Sequence, residues 1–481
     1  MSILVVDVGT SSVRAAVVRP DATISHERRV PLLPASPAPG LVEFDAAEMA
    51  QVALECTRAV LEDAGTVDAV GVTNQRASVV LWDRATGEPV GPGIGWQDLR
   101  TVGRCLELRA ETGLQLAPNV TATKLEWLLD HVDPDRKRAL GAGTVDTWLA
   151  WALTEGAVHA TDATNAGLTG LLASDARGWD RGALETLRIP ESLLPAIVDS
   201  TGVLGPATAV PGAPPLAGLA GDQQASLLGQ GCVQPGDAKI TFGTGGMLDV
   251  VLGPSPPRFT NRGRAGTYPI VARRLDRRDT WGLEAVMLTA GTNVEWLCED
   301  LGVLGSVAES HEVASQCDDA GDVWYVPALL GLGTPVWDYG ARGTVIGLTR
   351  GTGRPELVRA VLEGIAHRGA DLVDAAEADA GLDIGALRVD GGMAANPTFV
   401  QALADASQHP VEVAPVVEAT ALGAAFLAGL AVGTWRDTDE VASTWSPKRR
   451  VEPQRALDRD RWREAVAKAE RWIPDLSAVE F

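Results

Sequence analysis

Two glycine-rich turns with one aspartate between them in sequence set narrow limits on what this 481-residue chain can become. The apolar stretch Ile3 to Val6 runs into Asp7-Val8-Gly9-Thr10-Ser11-Ser12, and the stretch Lys239 to Phe242 runs into Gly243-Thr244-Gly245-Gly246. Each reads as a strand ending in a loop that can turn backbone N–H groups toward phosphate oxygens. Between them lies Gly218-Leu219-Ala220-Gly221-Asp222-Gln223-Gln224. Taken singly, each feature is ordinary turn or helix-cap chemistry, since Asp favours both positions. Taken in order, a carboxylate between two phosphate-binding turns points to phosphoryl transfer onto a hydroxyl.

Strands and helices alternate along the chain, which predicts layered, mixed α/β structure. Ile3 to Val18 reads as strand, glycine turn, strand, because helical periodicity returns only at Asp45 to Ala64. That opening differs from the strand-to-helix step of a Rossmann unit. Gly71 to Trp82 is expected to be strand, and Val102 to Glu111 and Thr123 to His131 amphipathic helix. The Pro, Gly, Ala and Thr of 201–215 predict a loop, followed by a helix over Asp222 to Gly229. The strand–turn–strand pattern then recurs up to Leu252. Helices are expected at Thr289 to Leu301 and Arg354 to Ala380, and Asp390-Gly391-Gly392 forms a third tight turn. The echo divides the chain into residues 1–234, carrying the first phosphate turn and the aspartate, 235–435, carrying the second turn, and a peripheral helical tail, 436–481.

A net charge of −22 argues against nucleic-acid or acidic-membrane partners, which require a positive field. Only five lysines occur and neither glycine turn contains one, so a P-loop is absent. A nucleotide site here must rely on backbone N–H groups, hydroxyls, a metal and Arg14. The five cysteines are scattered and never spaced Cys-x-x-Cys, which predicts a reduced, cytoplasmic setting without a zinc site. No signal-peptide pattern opens the chain, and no apolar run reaches the roughly twenty residues of a membrane span. All six histidines lie outside the glycine motifs, which leaves a carboxylate to serve as base toward an alcohol.

Further motifs carry a family resemblance. Thr73-Asn74-Gln75-Arg76, Trp96-Gln97-Asp98, Thr123-Lys124-Leu125-Glu126-Trp127, Asp146-Thr147-Trp148-Leu149, Gly221-Asp222-Gln223-Gln224, Gly243-Thr244-Gly245 and Asp390-Gly391-Gly392 occur in the order seen in glycerol kinases. The run from Gly343 to Gly351 resembles a signature of the wider FGGY carbohydrate kinase family. The likeness extends from Ile3 to Trp435. It implies two ribonuclease-H-like, actin-type ATPase domains flanking a nucleotide and substrate cleft, with ATP and Mg²⁺ as cofactors. By position it implies Asp222 as catalytic base and Asp7 as the Mg²⁺ residue. Thr10, Ser11, Ser12 and Arg14 would line the first phosphate loop, and Thr244 and Gly245 the second. Gly291, Glu295, Gly392 and Asn396 would surround the nucleotide; Glu295 stands where relatives usually carry Gln.

The resemblance also implies an acceptor pocket of Arg76, Ala77, Trp96, Asn119, Asp222, Gln223 and Met247. Relatives expected to bind glycerol carry Glu, Tyr and Phe where this chain has Ala77, Asn119 and Met247. Those changes predict an enlarged pocket for a four- or five-carbon polyol or a ketose; the alternative is a glycerol kinase with compensating contacts. Outside enzymes, actin-type ATP-binding folds serve as regulatory proteins, yet both Asp7 and Asp222 are retained here. A homodimer or homotetramer is the expected assembly.

Overall fold

Apolar runs sit at the centre of two sheets whose faces are both covered. The computed structural model describes residues 1–416 and 418–479. In the first half, β1 (Ile3–Val8), β2 (Ser12–Val18), β3 (Ile24–Pro31), β4 (Ala69–Asn74), β5 (Thr201–Pro206) and β6 (Pro215–Gly221) form a six-stranded sheet in the order β5-β6-β4-β1-β2-β3. Every residue of β1 and β4 is buried. The second sheet contains β7 (Ala238–Phe242), β8 (Gly246–Gly253), β9 (Tyr268–Leu275), β10 (Arg278–Met287), β11 (Leu387–Asp390), β12 (Val411–Val413) and β13 (Arg449–Val451), ordered β9-β10-β8-β7-β11-β12-β13.

Outward from their opening hairpins, β1–β2 and β7–β8, the sheets follow one plan. The second hairpin strand has an antiparallel neighbour, β3 or β10. The first has two successive parallel neighbours, β4 and β6 or β11 and β12, and then an antiparallel edge, β5 or β13. Only β9 is additional. This is a duplicated ribonuclease-H-like, actin-type layout, and it puts the two glycine turns at equivalent places in the two halves.

The helices that matter for the site are α1 (Ala46–Ala64), α2 (Thr121–Val132), α3 (Asp222–Gly229), α4 (Thr292–Glu299), α5 (Arg354–Ala380), α6 (Pro397–Ser407) and α7 (Ala419–Val432). Asp45 caps α1, its carboxylate accepting from the Ala47 and Glu48 N–H groups. Helix α7 is composed almost wholly of small and apolar residues. It packs not on the sheet beside it in sequence but on the first sheet and on α3, sharing one core with Ile3, Ala217 and Ala225. Gly423 of α7 lies so close to α3 that an added Cβ would fall on the Ala225 carbonyl oxygen.

Three expectations change. The segment 71–82 is not one strand: it breaks after β4, turns through Ala77 at φ 61°, and resumes as Val79–Asp83 in a separate four-stranded sheet. The loop expected over 201–215 begins as β5. That edge strand tolerates its Gly and Pro residues because one side needs no ladder and a bulge absorbs the irregularity. The tail is helical over Thr438–Ser443 and Arg459–Ala469, as expected, but it is not peripheral: it adds β13 to the second sheet and buries Trp462, whose indole N–H donates to Asp371. Arg450 of β13 pairs with Glu412 of β12 at 2.7 Å. All five cysteines are free thiols, and no described helix is long and apolar enough to cross a membrane.

Gly423→Ala should destabilise the protein by about 1–3 kcal/mol, because backbone on both sides of the contact resists displacement. Thermal unfolding of the variant beside wild type measures this, and an unchanged Tm would mean that α3 and α7 can separate freely.

Candidate active site

Strand register builds the first phosphate turn. Asp7 on β1 and Arg14 on β2 are direct cross-strand partners, so their side chains share a face, and an Arg14 Nη donates to Asp7 Oδ2 at 2.6 Å. Arg14 also pairs with Glu418 at the start of α7. Within the turn, the Gly9 N–H donates to the Ser12 carbonyl at 3.0 Å. Thr10 Oγ1 accepts from the Trp96 indole at 3.1 Å and Ser12 Oγ accepts from Arg29 at 3.0 Å, while Ser11 is exposed.

The second turn is anchored by the entry to α4. Gly291 N–H donates to the Gly243 carbonyl at 2.9 Å, and Thr244 O accepts from the Ala290 N–H and the Thr292 hydroxyl. Gly245 follows within the same turn. Gly391 lies in the left-handed region at φ 84° with a would-be Cβ against the Phe242 carbonyl, so only glycine fits between β11 and β7. Gly291 approaches Met393, which brings the α4 entry and the turn carrying Gly392 together. Asn396 is engaged as the cap of α6, accepting from the Phe399 N–H, and its amide donates to Ser310. Glu295 is exposed on α4. A Cβ built on Gly243 or Gly392 would meet nothing within 4 Å, which leaves open space above both turns.

A cleft of about 250 Å³ separates the halves and is lined by Asp7, Arg14, Asp222, Gln223, Asp390 and Glu418 among others. Asp222 is the first residue of α3. Its Oδ1 accepts from the Gln223 N–H at 2.8 Å and faces Arg76 Nε at 3.2 Å. Burial raises its pKa above the ordinary carboxylate value, and Arg76 opposes part of that rise. Arg76 reaches across the cleft to Glu284 on β10, Nη1 to Oε2 2.6 Å, and its Nη2 lies 3.9 Å from the Met247 sulfur. Glu284 is also raised, by burial first.

Register explains this floor. Glu284 on β10 is opposite Asp249 on β8, and Asp249 is opposite Lys239 on β7, so the three form one polar row on one face of the sheet. Lys239 is fully buried; it pairs with Asp249 at 2.8 Å and donates to Gln223 Oε1 at 2.5 Å and Thr241 Oγ1 at 3.0 Å. Ser226 of α3 donates to Asp390 of β11 at 3.3 Å. Arg76–Glu284, Gln223–Lys239 and Ser226–Asp390 are among the polar contacts that join the halves.

Of the residues expected to form the acceptor pocket, Ala77 is buried and its carbonyl accepts from Thr121 at 3.1 Å, Trp96 is half-buried, and Asn119 is exposed just before α2. The sequence reading missed Glu284, Lys239, Asp249 and Glu418. The available signal was an isolated charge in an apolar stretch, Lys239 in β7 and Glu284 in the Trp281–Met287 part of β10. Among the described residues no three His, Cys, Asp or Glu side chains gather to hold a metal unaided. The carboxylates that do line the cleft, Asp7, Asp222 and Asp390 among them, are of the kind Mg²⁺ takes one or two of, completing its shell with phosphate oxygens and water.

Residues 2–229 match the N-terminal domain, and residues 238–432 the C-terminal domain, of the FGGY family of carbohydrate kinases. The chain belongs to that family. As an FGGY kinase it is an ATP-dependent phosphotransferase with an alcohol group as acceptor, using ATP with Mg²⁺. This FGGY kinase is 43% identical to a glycerol kinase of Aromatoleum aromaticum, with 98% of this chain and 99% of that one aligned. It is 40% identical to glycerol kinase 2 of Thermotoga maritima, with 98% and 99% covered. Plasmodium falciparum glycerol kinase, solved with ADP, superposes with a TM-score of 0.89 at 28% identity over 100% of this chain and 99% of that one. A xylulose kinase from Rhodospirillum rubrum shares the fold, with a TM-score of 0.85 at 23% identity over 97% and 98%.

Lys239→Met should cost about 3–5 kcal/mol because it strands the Asp249 carboxylate in the interior. Adding Asp249→Leu should recover most of the loss. Urea unfolding of the single and double variants checks both statements, and an equally unstable double variant would contradict the pairing.

Proposed function

We propose that this FGGY kinase transfers the γ-phosphoryl group of ATP to a terminal hydroxyl of glycerol, giving glycerol 3-phosphate. The observation that carries the reading is Asp222, held by Arg76 at the edge of a cleft that also presents the Asp7–Arg14 pair of the first phosphate turn. Full-length similarity to glycerol kinases at about 40% identity supports glycerol as the acceptor.

In this reading Asp222 hydrogen-bonds the acceptor hydroxyl and takes its proton as the new O–P bond forms; if the transition state is loose, the proton moves late. Arg76 keeps Asp222 oriented, and its tie to Glu284 fixes the guanidinium. Mg·ATP supplies the phosphoryl group and neutralises charge on its oxygens. Asp7 would hold the metal. Thr10, Ser11, Ser12 and Arg14 would face the phosphates from one half, and Thr244 and Gly245 from the other. Gly291, Glu295, Gly392 and Asn396 would border the adenosine. The two domains of the reading are residues 1–234 and 235–435, with 436–481 appended.

A second reading keeps the chemistry and changes the acceptor to a four- or five-carbon polyol or a ketose. Ala77, Asn119 and Met247 favour it, since each is smaller or more adaptable than the Glu, Tyr or Phe of relatives that fit glycerol. Glu284 favours glycerol in return: it sets a buried carboxylate on Arg76, offsetting the one that Ala77 lacks.

Asp222→Asn should lower kcat by about 10²- to 10⁴-fold. Turnover within tenfold of wild type would remove Asp222 from this role. Because the base must be ionised and its pKa is raised, activity should fall as pH drops through a value above the ordinary carboxylate pKa of about 3.9. The acid limb of a kcat/KM profile measures this, and a flat profile down to pH 4 would contradict it.

An ADP-release assay across glycerol, erythritol, ribitol, xylitol, xylulose and ribulose separates the acceptors. Glycerol should lead in kcat/KM. A larger acceptor ahead by about tenfold, or about 1.4 kcal/mol of discrimination, would establish the second reading.

A further inference from the structure

In the proposed reading the acceptor wall is built from three short loops, and loops without support are too mobile to orient a substrate. One carries Ala77 between β4 and Val79–Asp83, one carries Gly95-Trp96 after Gly93–Ile94, and one carries Asn119 before α2. All three are tied to the first turn of α2. Thr121 Oγ1 donates to the Ala77 carbonyl at 3.1 Å. Lys124 Nζ donates to the Gly95 carbonyl at 3.1 Å and the Asn119 carbonyl at 2.9 Å. Thr121 and Lys124 are buried, and one face of the same turn is pinned further by Thr123, which donates to Thr101 at 2.8 Å.

A buried ammonium is an expensive way to satisfy two backbone carbonyls, since desolvating it costs stability that an amide would not. What lysine adds is geometry: one atom at the end of a long stem donates to two different loops at once. The charged and titratable groups facing it are Asp98 and Arg100 beyond Trp96 and the Cys105 thiol on the preceding helix. Burial brings the lysine pKa down to about 7, and either protonation state retains enough N–H groups for both carbonyls.

We propose that Thr121 and Lys124 are positioning residues for the acceptor, holding the Ala77, Gly95-Trp96 and Asn119 backbones in one register. The proposal rests on the reading of Ala77, Trp96 and Asn119 as the acceptor wall. The link extends to the nucleotide side through Trp96, whose indole donates to Thr10 and whose N–H donates to Ser78. Neither Thr121 nor Lys124 is assigned any contact with substrate.

Steady-state kinetics of the full chain with Mg·ATP, varying glycerol and in parallel erythritol and xylulose, tests this on Lys124→Met, Thr121→Val and the wall variant Trp96→Leu. Lys124→Met should raise acceptor KM at least about tenfold, with kcat at saturation and KM for ATP each within about threefold, because a misplaced wall weakens capture of the acceptor first. Thr121→Val, which removes one hydroxyl at constant volume, should raise acceptor KM about threefold. Folded Lys124→Met and Thr121→Val proteins that keep acceptor KM within about twofold, while Trp96→Leu raises it, would overturn the proposal alone. If Trp96→Leu also leaves acceptor KM unchanged, the wall reading fails and the proposal fails with it. Should Lys124→Met not fold, Thr121→Val decides by the same criterion.

Discussion

The buried row Lys239–Asp249–Glu284, completed across the cleft by Arg76, is the interaction on which the site depends. Sheet register alone places these charges side by side, with Lys239 against Asp249 and Arg76 against Glu284. Three groups at the cleft lean on this row. Asp222 is oriented by Arg76, Arg76 by Glu284, and Gln223 by Lys239. An ion pair of this kind gives little net stability, since desolvation cancels most of its attraction. Its value is directional: it fixes where a carboxylate and a guanidinium point within a cleft formed by two separate sheets.

The duplicated topology supplies the other half of the geometry. Each hairpin turn lies beside a parallel strand that ends near it, β4 at Asn74 and β11 at Asp390, so each phosphate turn is flanked by the C-terminal end of a strand. Such crevices at strand ends are where open α/β sheets gather ligands. Family membership and geometry thus agree on the chemistry. On the acceptor, the full-length likeness to glycerol kinases supports the proposed glycerol reading, and Ala77, Asn119 and Met247 are the residues on which the second proposed reading rests.

What could be read from sequence was local or came through resemblance. Glycine turns, the Asp222 helix start and the echo of strand–turn–strand were legible because each depends on neighbouring residues. Glu284 and Lys239 were not, because their meaning arises from partners on other strands and in the other half, and a lone charge in an apolar run does not name its partner. The strand at Thr201–Pro206 was hidden by Gly and Pro residues that an edge position tolerates. The tail was misread because its Trp and Arg residues look like surface decoration until Trp462 is seen inside a core and Arg450 on a strand edge.

Helix α7 gives the chain a temporal order. During synthesis the first sheet is complete once Gly221 has emerged, yet the face that receives α7 stays bare until residues 419–432 follow nearly two hundred residues later. The first half therefore cannot close its own core vectorially, and its apolar face at Ala217 and Ala225 is the surface that a ribosome-associated chaperone would meet in the interval. Although its two halves echo one another, the core of the first is sealed by a helix of the second.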